Sequence, residues 1–332
     1  MIKKTILGLA LVFLFCWGCS SNDTASSLQE RQQWLIPNGK IKVLSTIAMI
    51  DDLVKQIGGD YVDCSTLIDS ELDPHSYQLV KGDDERLALA DLIFYNGLGL
   101  EHGPSLQRFL SQNAKSISLG NKLMGDYPHD LLRDQGQLDP HIWMDISLWA
   151  KTIPYIVETL AQKDPEHAET YRSNGEKLIA NLLQTHQEIR QELQHIASSQ
   201  RYLVTSHDAF NYFAKAYLAD EGDNEQEWRA RIAAPEGLAP ESQISVTDIQ
   251  AIIDYLQYYH VRVLFPESNV SKDSIRKIVQ AAKEKHLDVT IADVPLYADA
   301  MGKPGSSGDS YLNMIRHNAR TIALYLKNNG IE

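Results

Sequence analysis

Between Pro165 and Ala197 the residues Tyr171, Leu178, Leu182, Thr185, Ile189, Leu193 and Ile196 recur in steps of seven, four, three, four, four and three. That periodicity keeps one stripe turned toward a core and predicts a single amphipathic helix over the whole stretch. At 1.5 Å per residue such a helix extends about 50 Å, enough to run the length of two lobes. A chain with so long a strut in its middle must fold its two halves beside it. At 332 residues it has sequence enough for a substantial core in each half.

Both halves alternate strand with helix. Before the strut, Ile41–Leu44 reads as a strand, and Ile47, Ile50, Leu53, Val54 and Ile57 follow at helical spacing until Gly58-Gly59. A strand over 61–68, a helix around 83–90, a strand over 91–95 and a helix over 147–162 complete that half. After it come strands at 202–205, 261–265 and 288–291, with helices through Phe210 to Tyr217, Ile249 to Leu256 and Ile275 to Val279, and a last one to Leu326. Residues 219–243, charged and carrying Pro and Gly, read mainly as a surface excursion. The pattern implies an α/β fold of two lobes with parallel-sheet cores, joined by one long rigid helix. The expected organisation is an N-terminal lobe over 40–164, the spanning helix over 165–198 and a C-terminal lobe over 199–332.

Residues 1–19 read as a secretory signal peptide: Lys3-Lys4, an apolar run from Ile6 to Trp17, then Gly18-Cys19-Ser20-Ser21. The run is shorter than the roughly 20 residues that span a bilayer. Gly18-Cys19 also resembles a lipoprotein cleavage site, although Cys16 and Trp17 depart from that pattern; lipidation at Cys19 and simple cleavage both stay open. Residues 20–39 read as a polar tether. Removing the leader leaves Cys19 and Cys64, too few for a disulfide framework. The net charge of −13 argues against nucleic acid or an anionic membrane surface as partner and suits the attraction of cations.

Asp73-Pro74-His75 returns as Asp139-Pro140-His141, and His207 follows His141 at the same interval that separates the first pair. Such separations are far too long for ligands on one helix, so only tertiary folding brings these side chains together. Proline fixes its own φ and extends the aspartate before it, which presents each imidazole from a stiff loop. His75 follows a strand, and parallel sheets bind ligands beyond the carboxyl ends of their strands. Three histidines so presented suggest a metal site. The other eight (His102, His129, His167, His186, His195, His260, His286 and His317) read as surface or core residues. Trp143 and Tyr77 read as packing aromatics. Asn96-Gly97-Leu98-Gly99 lacks the spacing of a phosphate loop.

Five segments carry a resemblance: Asp73-Pro74-His75-Ser76-Tyr77, Asn96-Gly97-Leu98-Gly99-Leu100-Glu101, Asp139 to Asp145, Thr205-Ser206-His207-Asp208-Ala209-Phe210, and Gly308-Asp309-Ser310-Tyr311. In order from about residue 40 to the C-terminus, the chain is similar to the metal-binding solute receptors of ABC importers, the TroA or ZnuA-like cluster A-I, and among them to the YtgA-type branch. The resemblance implies two lobes on a long helix with a metal between them, held by His75, His141, His207 and Asp299. Asp309 is the nearby competitor for the last place and ranks lower, because capping of the final helix accounts for it. It further implies an extracytoplasmic receptor, periplasmic, monomeric and not an enzyme, with lipid anchoring at Cys19 left open. Its cargo would be one Fe²⁺, Mn²⁺ or Zn²⁺ ion, delivered to a membrane permease and its ATPase.

Three neutral imidazoles and one carboxylate suit all three ions: one bound oxygen gives the four-coordination zinc favours, and two give five, better for manganese or iron. Asp73, Asp139, Asp208 and Glu101 are the local candidates to orient the imidazoles. Affinity should weaken below roughly pH 6.5, where an ordinary imidazole protonates. The rival readings are an exported zinc hydrolase, which would need an open metal position and a carboxylate base, and a metal-containing adhesin. No H-E-x-x-H occurs.

Overall fold

The computed structural model describes residues 31–68, 72–240 and 244–328. The signal peptide and anchor at Cys19 expected from the sequence lie outside them, as does most of the expected tether. Residues 31–34 are helical. From Gly39 onward the chain forms one compact unit, in which two α/β lobes share a long helix.

In the first lobe β1 (Ile41–Ser45) lies at the centre of a parallel sheet, with β2 (Val62–Thr66) on one side and β3 (Leu92–Tyr95) and β4 (Ser116–Ser118) on the other. Val43 and Leu44 on β1 and Ile93 and Phe94 on β3 are wholly buried, as expected of strands covered on both faces. Helices α1 (Ala48–Gly58), α2 (Asp83–Leu89) and α3 (Pro104–Gln112) make the three crossovers, and α4 (Leu119–Asp126) follows β4. A two-residue turn at Gln135 and Gly136, both at positive φ, closes the hairpin β5 (Arg133–Asp134) and β6 (Gln137–Leu138).

The helix expected over 147–162 is two helices, α5 (Ile146–Ala150) and α6 (Ile153–Lys163). Pro154 sits in the first turn of α6, where its missing N–H costs nothing but where it cannot continue a helix from behind. The spanning helix α7 runs Ala168–Gln194 after a 3₁₀ turn, Pro165–His167. Tyr171, Leu178, Leu182, Thr185, Ile189 and Leu193 are buried, so the predicted stripe is the one that packs.

In the second lobe β7 (Leu203–Val204) pairs in parallel with β8 (Ile232–Ala233), and β9 (Val263–Leu264) with β10 (Thr290–Ile291). A hydrogen bond from Phe265 N to Val204 O (2.8 Å) joins the two pairs. Helices α8 (Glu225–Arg229), α9 (Val246–Tyr258), α10 (Asp273–Glu284) and α11 (Tyr311–Asn328) belong to this lobe. The segment read as a surface excursion is therefore partly core. It supplies β8 and buries Trp228, Arg231 and Glu236. Arg231 is held inside by the Asp220 and Asp223 carboxylates and the Ser198 carbonyl, which satisfy the charge that made the segment look exposed. Among the described residues no helix is long and apolar enough to cross a membrane.

Candidate metal centre

His75, His141, His207 and Asp299 meet between the lobes, all four buried, with one donor atom from each lying within 4.8 Å of the others. The first two come from loops of the N-terminal lobe, the last two from loops after strands of the C-terminal lobe. His75 Nε2 is 3.3 Å from His141 Nε2. Asp299 Oδ1 lies 3.4 Å from His141 Nε2, while Oδ2 lies 3.7 Å from His75 Nε2 and 3.1 Å from His207 Nε2. Donors on a tetrahedral ion at about 2.05 Å stand about 3.3 Å apart. The spacing is that of atoms arranged around a common centre.

Each Asp-Pro-His works through its own aspartate. Asp73 Oδ1 accepts from His75 N at 2.8 Å, and its other oxygen accepts from Ser76 Oγ. Asp139 Oδ1 accepts from both His141 N (2.9 Å) and Nδ1 (2.7 Å), which leaves Nε2 to face the centre. Asn211 Nδ2 donates to the second Asp139 oxygen, and Tyr212 OH donates to its carbonyl. Asp73 thus fixes a loop, whereas Asp139 orients a ring.

His207 is oriented by a residue that the sequence did not single out. Glu267, just past β9, accepts from Ser206 N (2.9 Å) and His207 N (3.0 Å) through Oε1, while Oε2 bonds His207 Nδ1. The available signal was its place after a core strand, beside the strand that delivers His207. Glu101 does a different job from the one expected. Its carboxylate accepts from Thr46 Oγ1, Asn96 N and Gly97 N, so it ties the glycine loop to the residue after β1 rather than orienting an imidazole. Asp208 makes no hydrogen bond to a ring. Burial and the neighbouring Asp139 raise its carboxyl to about 6.

Burial pushes His75 down to about 3, so its ring is neutral through the physiological range. His207 behaves oppositely: burial disfavours the imidazolium, but the Glu267 and Asp299 carboxylates outweigh it and hold the ring well above the ordinary value. Burial likewise works against the Asp299 carboxylate, yet His207, His141 and His75 keep it below the usual range. His207 Nε2 and Asp299 Oδ2 are close enough to attract but are not aligned as a hydrogen bond. His207 Nε2 and both Asp299 oxygens consequently stay buried with no hydrogen-bond partner. Orphaned polar atoms cost roughly 1–3 kcal/mol each, and here all three face one point.

Asp309 lies elsewhere, exposed, bonded to Gly305 N and Asn313 Nδ2. Ser310 Oγ accepts from Asn313 N at the start of α11. Trp143 is buried, its indole N–H donating to Ala298 O beside Asp299. Tyr77 is buried with its hydroxyl on Asp83, so both aromatics pack rather than cage a ligand. His186, on α7, bonds Tyr217 OH.

A family model described as "Zinc-uptake complex component A periplasmic", ZnuA, matches residues 43–324. The chain belongs to the ZnuA family. Among its relatives, the metal-binding protein YtgA of Chlamydia trachomatis is 38% identical over 92% of this chain and 91% of its own. The crystal structure of Fe(III)-bound YtgA superposes with a TM-score of 0.81, covering 86% of this chain and 98% of that one at 39% identity. The manganese-binding lipoprotein MntA of Bacillus subtilis is 32% identical over 93% of this chain and 94% of its own. The periplasmic zinc-binding protein TroA of Treponema pallidum gives a TM-score of 0.78 at 29% identity, over 87% and 99%. The two-lobed ZnuA-family architecture is therefore that of metal-binding receptors whose names span iron, manganese and zinc.

Proposed function

We propose that this chain is an extracytoplasmic receptor that captures one divalent transition metal ion through His75, His141, His207 and Asp299 and delivers it to an ABC permease. The observation that carries the reading is the set of buried, partnerless atoms, His207 Nε2 and both Asp299 oxygens, converging where two further imidazole nitrogens point. A doubly charged ion satisfies all of them at once. Three neutral imidazoles and one carboxylate leave the occupied site at one net positive charge, with Asp139 and Glu267 behind two of the rings to balance it.

Because Oδ1 faces His141 and Oδ2 faces His75 and His207, the carboxylate is set to bind through both oxygens. Five donors favour manganese or iron over tetrahedral zinc. A hydrolase would need a carboxylate free to act as base. Glu267 is committed to His207 and Asp139 to His141, so capture and release is the better account. The lobes divide at 164 and 198, with α7 between them, and Cys19 serves as the anchor if the leader is cleaved there.

Metal analysis of protein purified without chelator tests the reading, followed by competition among Fe²⁺, Mn²⁺ and Zn²⁺. About one ion per chain in the wild type, and none in Asp299→Ala combined with His207→Ala, is the expected result. Equal metal content in both proteins would refute it.

A further inference from the structure

We propose that His317 and Asn318, neighbours in α11, bias the centre toward manganese or iron over zinc by holding the Asp299 loop where both carboxylate oxygens face the ion. The inference deepens the metal-receptor reading above and rests on it.

The donors are positioned in different ways. Asp139 bonds the His141 ring and Glu267 the His207 ring, whereas neither oxygen of Asp299 has a hydrogen-bond partner. No donor holds that carboxylate, so its place is set by the backbone that carries it.

Helix α11 fixes that backbone. Asn318 is wholly buried, and its amide makes two bonds to one residue: Oδ1 accepts from Tyr297 N at 2.9 Å, and Nδ2 donates to Tyr297 O at 2.7 Å. Tyr297 lies two residues before Asp299, and a pair of bonds like the rung of a strand ladder leaves the short stretch between them little freedom to turn. His317 Nε2 donates to Pro295 O at 3.0 Å, and its Nδ1 accepts from Ser307 Oγ at 2.8 Å, so one imidazole pins both ends of the loop. Gly302 N donates to Gly308 O at 2.8 Å and closes the far side. The Tyr297 ring fills the turn, with the His317 ring 4.8 Å from it between centroids. A Cβ at Gly308 would collide with that ring, and one at Gly302 would come 2.8 Å from its hydroxyl oxygen, so bare backbone wraps it closely.

What this scaffold delivers is a two-sided carboxylate, Oδ1 at 3.4 Å from His141 Nε2 and Oδ2 at 3.1 Å from His207 Nε2. A loop free to rotate swings one oxygen away. Manganese or iron then loses one of five donors, while zinc keeps a tetrahedral set of three imidazoles and one oxygen. The anchor in α11 therefore acts on the ratio of affinities more than on capture itself, which makes His317 and Asn318 positioning residues that set specificity.

The test is competition of the full chain against a chelator for Mn²⁺ and for Zn²⁺, as wild type, Asn318→Leu and His317→Ala. Leucine fills nearly the same volume without charge and removes both bonds to Tyr297. In Asn318→Leu the Kd for Mn²⁺ should rise about tenfold or more and that for Zn²⁺ by about threefold or less, with the same order and smaller factors in His317→Ala. His317 is only half-buried, so its variant decides alone if Asn318→Leu does not fold. Gly175→Ala, on α7 and away from the site, controls for lost stability and should leave the ratio of the two constants unchanged. Equal losses for the two ions, or none, in the folded variants overturn the anchor while leaving the receptor reading intact. A wild-type chain that binds neither ion overturns both.

Discussion

Asp139 and Glu267 do for two imidazoles what backbone geometry does for the third, and the site's pH behaviour follows from that difference. His207, between the Glu267 and Asp299 carboxylates, holds its proton above the ordinary imidazole range when no ion is present. An incoming cation must expel it. Apparent affinity should therefore fall about tenfold from pH 7 to pH 6, one proton being exchanged per ion, rather than levelling off above about 6.5 as for an unperturbed ring. Calorimetry in buffers of differing ionisation enthalpy should register that single proton; no proton release at pH 7 would contradict it. In the metal-free chain the sign is reversed. The raised value means that the His207 imidazolium contributes stability below about 6.5, lost as pH rises through its folded-state value. His75, pushed down to about 3, adds no proton competition in this range. Replacing Asp139 by alanine frees the His141 ring and leaves Asn211 Nδ2 without its acceptor. Metal affinity should drop about 10–100-fold, measured by competition against a chelator. The three histidines were legible in the sequence because proline stiffens two of their loops and equal spacing drew attention to the third. Asp299 came from resemblance alone. Glu267 was not legible, since nothing near it in the chain resembles a ligand and its partner is brought to it only by strands β7 and β9 lying side by side.

At the scale of elements, the long helix was readable because a stripe of seven positions survives any detail of packing. The β5–β6 hairpin and strand β8 were not, because two-residue strands carry too little alternation to register and their charged neighbours are neutralised from afar. Arg231, for example, pairs with the Asp220 and Asp223 carboxylates from the loop before α8. The packing of α7 does depend on one small residue. A Cβ at Gly175 would come 2.6 Å from Val157 Cγ2 on α6, and a β-branched side chain has little freedom to move aside. Alanine would gain about 1 kcal/mol of helix propensity, but forcing an extra carbon into a tight core contact costs about 1–3 kcal/mol. The second effect should win. Gly175→Ala is expected to lower the urea midpoint by the equivalent of about 1 kcal/mol with metal stoichiometry unchanged. A more stable variant would show that α6 and α7 are less closely fitted than they look.

Taken whole, the molecule holds its lobes in register by contacts of its own, independent of any ion. Helix α7 spans them, Trp143 of the first lobe donates to Ala298 O of the second, and Tyr311 OH from α11 returns a bond to Trp143 O at 2.7 Å. Tyr212 OH, after β7, accepts from Leu132 N just ahead of the β5–β6 hairpin. These bonds close around the site itself, so the four donors already stand at the spacing an ion imposes. A hinge opening of the kind that separates lobes widely would break all of them and bend a continuous helix. Release is better served by a small displacement of the Asp299 loop, which removes two oxygen donors at once. Metal-free and metal-loaded scattering profiles should accordingly give radii of gyration within about 1 Å, as for other pre-organised binding surfaces. The melting temperature should meanwhile rise with added ion, in step with the logarithm of its concentration over Kd. A large compaction on loading would mean that the cross-lobe bonds around Trp143 give way before the ion does, and that the helix is a tether rather than a strut.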